Sequence, residues 1–291
     1  MTFSDRLHAR IRKVDSRVCL GIDPRPDAHP LTHPSRFKND PAQVAKAVVY
    51  YFQAIIQATE GSVACYKLQS AFFEALGIPG LISMAQLVAD IRSRGVPVIL
   101  DAKRGDIGST AEAYAQAYLS DGVFSVDALT VNPYLGMESL APFLAQALSA
   151  SRGLFVLVKT SNLGSADFQD VPADDGRKLY ERVADSLTDV AREHRSGQYA
   201  PLGAVVGATY PEELAALRQR LPHSVLLVPG YGAQGGSAAD VAGAFDGDGL
   251  GAVVSSSRAL TYTTQDDDFS QRSKAAVEAM RAELNAAIRS R

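Results

Sequence analysis

The sequence predicts an α/β chain of the (β/α)8 class, a TIM barrel built as a single domain over residues 1–291. Three observations carry that prediction. Eight short apolar runs recur along the chain, each followed by a stretch with helical spacing, and no linker or internal repeat interrupts the alternation. The runs end, one after another, in polar or charged residues. A length of 291 residues suits one large barrel, whereas the competing doubly wound sheet would show fewer strands per domain and a boundary near the middle.

Residues 3–16 read as a short polar helix and 18–23 as a strand closed by Asp23. Pro24 and Pro26 stop regular structure, so 24–41 is expected to be a long loop. His29 and His33 have the spacing of metal ligands on a helix, but Pro30 and Pro34 disfavour a helix there, so no metal site is expected. Residues 42–59 have a helical apolar pattern, 62–67 form the second strand, ending at Lys67, and 79–94 form the next helix. The third strand, 98–100, runs into Asp101-Ala-Lys-Arg-Gly-Asp106. Alternation puts Asp101 and Lys103 on one face above Ile99, with Asp106 in a loop. Ser109 and Glu112 have the spacing of a capping box, which predicts a helix over 109–120.

The alternation continues with strands at 126–131, 153–161, 202–208, 225–228 and 250–255. Between and after them, helices are expected at 135–150, 176–194 and 270–288, with another opened by Pro211 at a favourable first-turn position. A second long loop, rich in Gly and Asp, is expected at 162–175.

The composition is ordinary: 46% hydrophobic, 21% charged, net charge -3. It lacks the basic excess of a nucleic-acid binder, so a small-molecule ligand is expected instead. Cys19 and Cys65 lie inside apolar strand-like runs with no Cys or His at ligand spacing, which predicts buried free thiols. The first residues have no apolar signal core, and no run approaches a membrane span. A cytoplasmic protein without membrane partners is therefore expected.

In barrels of this class the site lies at the C-terminal ends of the strands. Those ends carry Asp23, Lys67, Asp101 with Lys103, Asn132, Thr160 with Ser161, Thr209, Gln234 and Arg258. None is a histidine, which argues against a histidine-driven mechanism. Closely spaced buried charges are costly unless they compensate one another, so this cluster points to a site with tuned ionisation. After the seventh strand, Gly230, Gly232 and Gly235 satisfy G-x-G-x-x-G. A dinucleotide fold would need an acid about twenty residues on, where this chain has Ser255-Ser-Ser-Arg258. The loop reads better as a phosphate cradle, with Arg258 gripping the oxygens. The ligand is then expected to carry a phosphate at strands seven and eight and another part over Lys67, Asp101 and Lys103.

These residues resemble the orotidine 5′-monophosphate decarboxylase family, in its longer bacterial variety (type 2), over nearly the whole chain. The signature is similar to Asp101-Ala-Lys-Arg-Gly-Asp-Ile107, supported by Lys67, the segment Pro229-Gly-Tyr-Gly-Ala-Gln-Gly and Arg258. The resemblance implies cofactor-free loss of CO2 from orotidine 5′-monophosphate to give UMP, a step of de novo pyrimidine biosynthesis. It implies that Lys103 stabilises and protonates the C6 carbanion, that Asp101 lies beside the departing carboxylate, and that Lys67 and Asp106 complete a Lys-Asp-Lys-Asp array. Asp23 and Lys67 are expected at the ribose, Ser161 at the pyrimidine, and Gln234 with Arg258 at the phosphate. Ile107, Pro229 and Gly235 are further expected substrate contacts. Asp106 and Thr110 are expected from the partner subunit of a homodimer.

Two features depart from the family's commoner short form or leave its pattern open. Ser257 stands before the phosphate Arg where the short form has Gly, and simple alternation leaves open whether Thr160 or Ser161 faces the base. Two alternatives remain. A metal-dependent sugar-phosphate lyase or synthase of the same barrel superfamily resembles this pattern but has an acid where Lys67 stands, and a lysine there would repel a metal. A non-catalytic nucleotide-binding barrel is disfavoured by the intact charges at every matching position.

Overall fold

The computed structural model describes residues 1–232 and 236–290. Eight parallel strands close on themselves in chain order, with the last pairing back to the first. They are β1 (Val18–Ile22), β2 (Cys65–Gln69), β3 (Val98–Arg104), β4 (Ala128–Val131), β5 (Gly153–Lys159), β6 (Leu202–Val206), β7 (Leu226–Pro229) and β8 (Ala252–Ser256). Helices precede, connect and follow them: α1 (Phe3–Val14), α2 (Pro41–Thr59), α3 (Ser70–Glu74), α4 (Gly77–Ser93), α5 (Gly108–Leu119), α6 (Ala141–Ser149), α7 (Leu179–His194), α8 (Pro211–Arg220), α9 (Ala238–Val241), α10 (Arg258–Thr261) and α11 (Phe269–Arg289). The expected (β/α)8 architecture is present. Among the described residues no helix is long and apolar enough to cross a membrane.

Alternation along each strand divides the core in two. Inside the barrel each strand contributes one residue to a single cluster: Cys19, Cys65, Ile99, Ala128, Phe155, Val205, Leu227 and Val253. Outside, the other strand face meets the helices in a larger aliphatic layer that includes Leu20, Leu68, Leu100, Val156 and Val254. Both cysteines are free and buried, as expected. Helix α1 is amphipathic rather than simply polar. Its Phe3, Leu7 and Ile11 join the interior cluster and close the barrel at its N-terminal end, leaving the other end as the mouth.

Several local expectations shift. The second strand is Cys65–Gln69, so Lys67 sits within the strand rather than at its end, and the short helix α3 follows it directly. The capping box at 109–112 does not form. Helix α5 begins at Gly108, where φ of 52° turns the chain, its N-cap is Ile107, and Ser109 already lies in the first turn. The loop over 24–41 contains two 3-10 turns and is pinned from within: His29 packs its ring 4.9 Å from Tyr51 and 5.2 Å from Phe269.

Candidate active site

Asp101 is the hub of the mouth. Its Oδ2 accepts hydrogen bonds from Lys67 Nζ at 2.9 Å and Gln69 Nε2 at 3.1 Å. Its Oδ1 accepts from Lys103 Nζ at 2.6 Å and Thr130 Oγ1 at 3.0 Å. The geometry comes from three neighbouring strands in register, with Lys67 paired to Ile99 and Gln69 to Asp101 across β2 and β3. Lys103 does not simply continue the alternation. The β3–β4 register breaks between Leu100 and Arg104, and Lys103 adopts a left-handed φ of 47° that costs on the order of 1 kcal/mol. Its backbone N–H is held by Thr130 Oγ1 at 2.9 Å, so its side chain folds back over Asp101.

Burial separates the two lysines. The Lys67 side chain is 8% exposed and that of Asp101 12%, while that of Lys103 is 44% exposed and faces the opening. Burial pushes the Asp101 carboxyl up, but the ammoniums of Lys67 and Lys103 outweigh it and leave the group lowered to about 2. Burial likewise works against the Lys67 ammonium, and the charges of Asp101 and Asp23 reverse that, holding it above the usual lysine range. Both groups are therefore ionised at neutral pH.

Above this cluster lies a cavity of about 210 Å³ lined by Lys67, Asp101, Lys103, Thr160, Ser161 and Pro229, among others. Asp23, just past β1, is close enough to act on Lys67, and its Oδ1 is buried without a hydrogen-bond partner among the described residues. Such an acceptor suits a ligand hydroxyl. Beside the cavity, Gly230 and Gly232 at φ of 99° and 73° turn the chain after β7, and Gly232 N–H donates to the Gly236 carbonyl at 2.9 Å. Gln234 and Gly235 lie outside the described residues. Arg258 opens α10 with its side chain exposed and in no ion pair among the described residues. Ser257, the departure before it, fits because β1 has Gly21 opposite: a Cβ there would stand 2.5 Å from Ser257 Cβ.

Of the ten expected site residues that are described, six converge here, namely Asp23, Lys67, Asp101, Lys103, Ser161 and Pro229. Asp106, Ile107 and Thr110 do not line this cavity. The Asp106 Oδ1 accepts from the Ile107 N–H at 2.8 Å, Ile107 is 55% exposed, and Thr110 is exposed. Sequence reasoning missed Gln69 and Thr130, both bonded to Asp101. Continuing β2 by one more alternation from Lys67 would have found Gln69, and Thr130 follows Ala128 on the inward face of β4.

A barrel mouth with a carboxylate held between two lysines, beside a glycine-turned loop and an exposed arginine, belongs to a barrel enzyme acting on a small anionic ligand. The chain belongs to the Orotidine 5′-phosphate decarboxylase / HUMPS family, whose model matches residues 16–267. It is 46% identical over 277 residues to an orotidine 5′-phosphate decarboxylase of Rhodopirellula baltica, covering 93% of this chain and 91% of that one. It is 42% identical over 289 residues to one of Deinococcus radiodurans, covering 99% and 98%. Among solved structures, Leishmania donovani OMP decarboxylase superposes with a TM-score of 0.79 at 34% identity, over 99% of each chain.

Proposed function

We propose that this chain is an orotidine 5′-phosphate decarboxylase that converts orotidine 5′-monophosphate to UMP and CO2 without a cofactor. The observation that carries the mechanism is the Asp101 carboxylate bridging Lys67 and Lys103 in the cavity. The C6–carboxylate bond breaks heterolytically, CO2 leaves, and the electron pair stays on C6. Lys103, the more exposed of the two ammoniums, donates a proton to that carbon and recovers one from solvent. A fixed positive charge where negative charge develops is worth most when it needs no reorganisation, and Asp101 supplies that fixation. Lys67 holds Asp101 from below and, with Asp23, meets the ribose. Ser161 and Pro229 meet the base, and Arg258 with Gln234 and Gly235 grips the phosphate. Binding energy from the phosphate then helps to order the charges around C6.

Asp106 and Thr110 are assigned to the neighbour's cavity in a homodimer, with Ile107 beside them at the substrate. The exposure of Thr110 and Ile107, and the absence of Asp106 and Thr110 from the lining of this chain's own cavity, support that assignment. The buried thiols Cys19 and Cys65 fit a reducing cytoplasm.

The test is the absorbance change of orotidine 5′-monophosphate with purified protein in chelator-containing buffer. The unmodified chain is expected to turn over, and Lys103→Ala to lose at least about 10³-fold in kcat. No turnover by the unmodified chain would sink the assignment, and activity that requires Mg2+ would favour the sugar-phosphate alternative.

A further inference from the structure

The long 162–175 loop has no role in the reading above, yet two of its side chains reach the site. The register between β5 and β6 slips by one residue, Leu157 pairing with Val205 and Lys159 with Val206. Such a bulge re-aims the residues after it. Lys159 takes the outward direction, 2% exposed, its Nζ near the rings of Tyr180 and Tyr210 and 2.7 Å from both oxygens of Asp170 in the loop. Thr160 and Ser161 are carried into the mouth.

Gln169, adjacent to Asp170, clamps Thr160 at two points. Its Oε1 accepts from the Thr160 N–H at 2.9 Å and its Nε2 donates to Thr160 Oγ1 at 2.8 Å. The Thr160 hydroxyl donates in turn to Asn162 Oδ1 at 2.7 Å. Gln169 is itself fixed, its N–H bonded to the Ser165 carbonyl and its carbonyl to the Tyr180 N–H. From β6 the same segment is braced by Gly207, where a Cβ would stand 2.8 Å from Ser161 Cβ. The Thr160 hydroxyl is therefore committed within the protein, while Ser161 Oγ has no hydrogen bond among the described residues and lines the cavity.

We propose that Gln169 is a positioning residue for base recognition, fixing Thr160 so that the hydroxyl of Ser161 alone is presented to the pyrimidine. The inference rests on the decarboxylase reading. Gln169 touches no substrate atom; it acts through the backbone it holds.

The test compares UMP with ribose 5-phosphate, which lacks the base. In Gln169→Leu, UMP binding and kcat/KM for orotidine 5′-monophosphate are expected to weaken by about tenfold, mostly through KM, while ribose 5-phosphate binding stays within about twofold. Gln169→Glu keeps the contact from the Thr160 N–H but not the one that Nε2 donates to the hydroxyl, and is expected to recover part of the loss. In a Ser161→Ala background the Gln169→Leu effect should vanish, because both changes remove the same contact. Equal weakening of both ligands, no change in UMP binding, or additivity with Ser161→Ala would overturn the inference while leaving the decarboxylase reading intact. A wild-type chain that neither turns over substrate nor binds UMP would overturn both. If Gln169→Leu does not fold, Gly207→Ala pushes on Ser161 from just past the neighbouring strand β6 and carries the same comparison, with the same base-selective loss expected.

Discussion

Asp101 compensates two lysines at once, and the two depend on it unequally. Lys67 is almost wholly buried, so replacing Asp101 with Asn strips its ammonium of the carboxylate it is bonded to and leaves Asp23 to compensate it. Lys103 is half open to solvent. Removing one partner of a buried pair costs roughly 3 kcal/mol, whereas losing an exposed charge costs well under about 1 kcal/mol. Asp101→Asn is therefore expected to lower unfolding free energy in urea by about 3 kcal/mol at pH 7, and Lys103→Ala to leave it nearly unchanged, although both variants lose turnover. Equal midpoints for the two variants would contradict the hub role. The lowered carboxyl also sets a pH window. Its contribution, about 2 kcal/mol, is complete above the ordinary carboxylate range and disappears as pH falls towards about 2, so it is fully present near neutrality and adds no pH dependence there.

Helix α1 closes the barrel floor and carries its own titrating group. His8 is buried 4.6 Å from the Tyr199 ring, and Gly251 N–H donates to its Nε2 at 3.4 Å. Burial, aided by Arg12 and opposed by Asp246 and Asp5, lowers its imidazole from 6.5 to about 4. The folded chain prefers the neutral ring while the unfolded chain takes up a proton below 6.5, so stability is present above 6.5 and lost as pH falls towards 4. The loss amounts to as much as about 3 kcal/mol. Thermal unfolding at pH 7.5 and pH 5 should show a smaller drop in His8→Gln than in the unmodified chain, and parallel drops would remove His8 from the account. This closure also marks the limit of what was legible. Continuous apolar runs located all eight strands because each buries both faces, and the charges at their ends pointed to Asp101, Lys103 and Lys67. The bulge in β5 and the left-handed turn at Lys103 were not legible, because both arise from pairing with a neighbouring strand rather than from local preference. Gln169 was hidden for the same reason: it lies in a loop, and only the folded chain brings it to Thr160. The Ser109–Glu112 spacing misled, since Gly108 starts the helix one residue sooner.

At the scale of the whole molecule, the site described in one chain has three of the four charges expected at C6. Asp106 sits on the rim, its carboxylate bonded only to the Ile107 N–H of its own chain among the described residues. Large apolar side chains are exposed on the rim loop after β4, where Tyr134 is 78% exposed and Leu135 48%. An apolar rim near a partly exposed carboxylate is the arrangement expected if a second copy covers it and exchanges Asp106 for Asp106 across a twofold axis. A dimer built this way has a property that separate barrels lack. Lys103→Ala chains keep Asp106, and Asp106→Ala chains keep Lys103, so a mixed dimer holds one site with both groups intact and one with neither. Random exchange in an equal mixture makes half of the dimers mixed, which restores about a quarter of the unmodified activity from two inactive preparations. Subunit exchange is followed independently with differently tagged chains, and activity should rise at the same rate as mixed dimers appear. Exchange without recovery would mean that each barrel completes its own array, and Asp106 would then need a path to Lys67 or Lys103 within one chain.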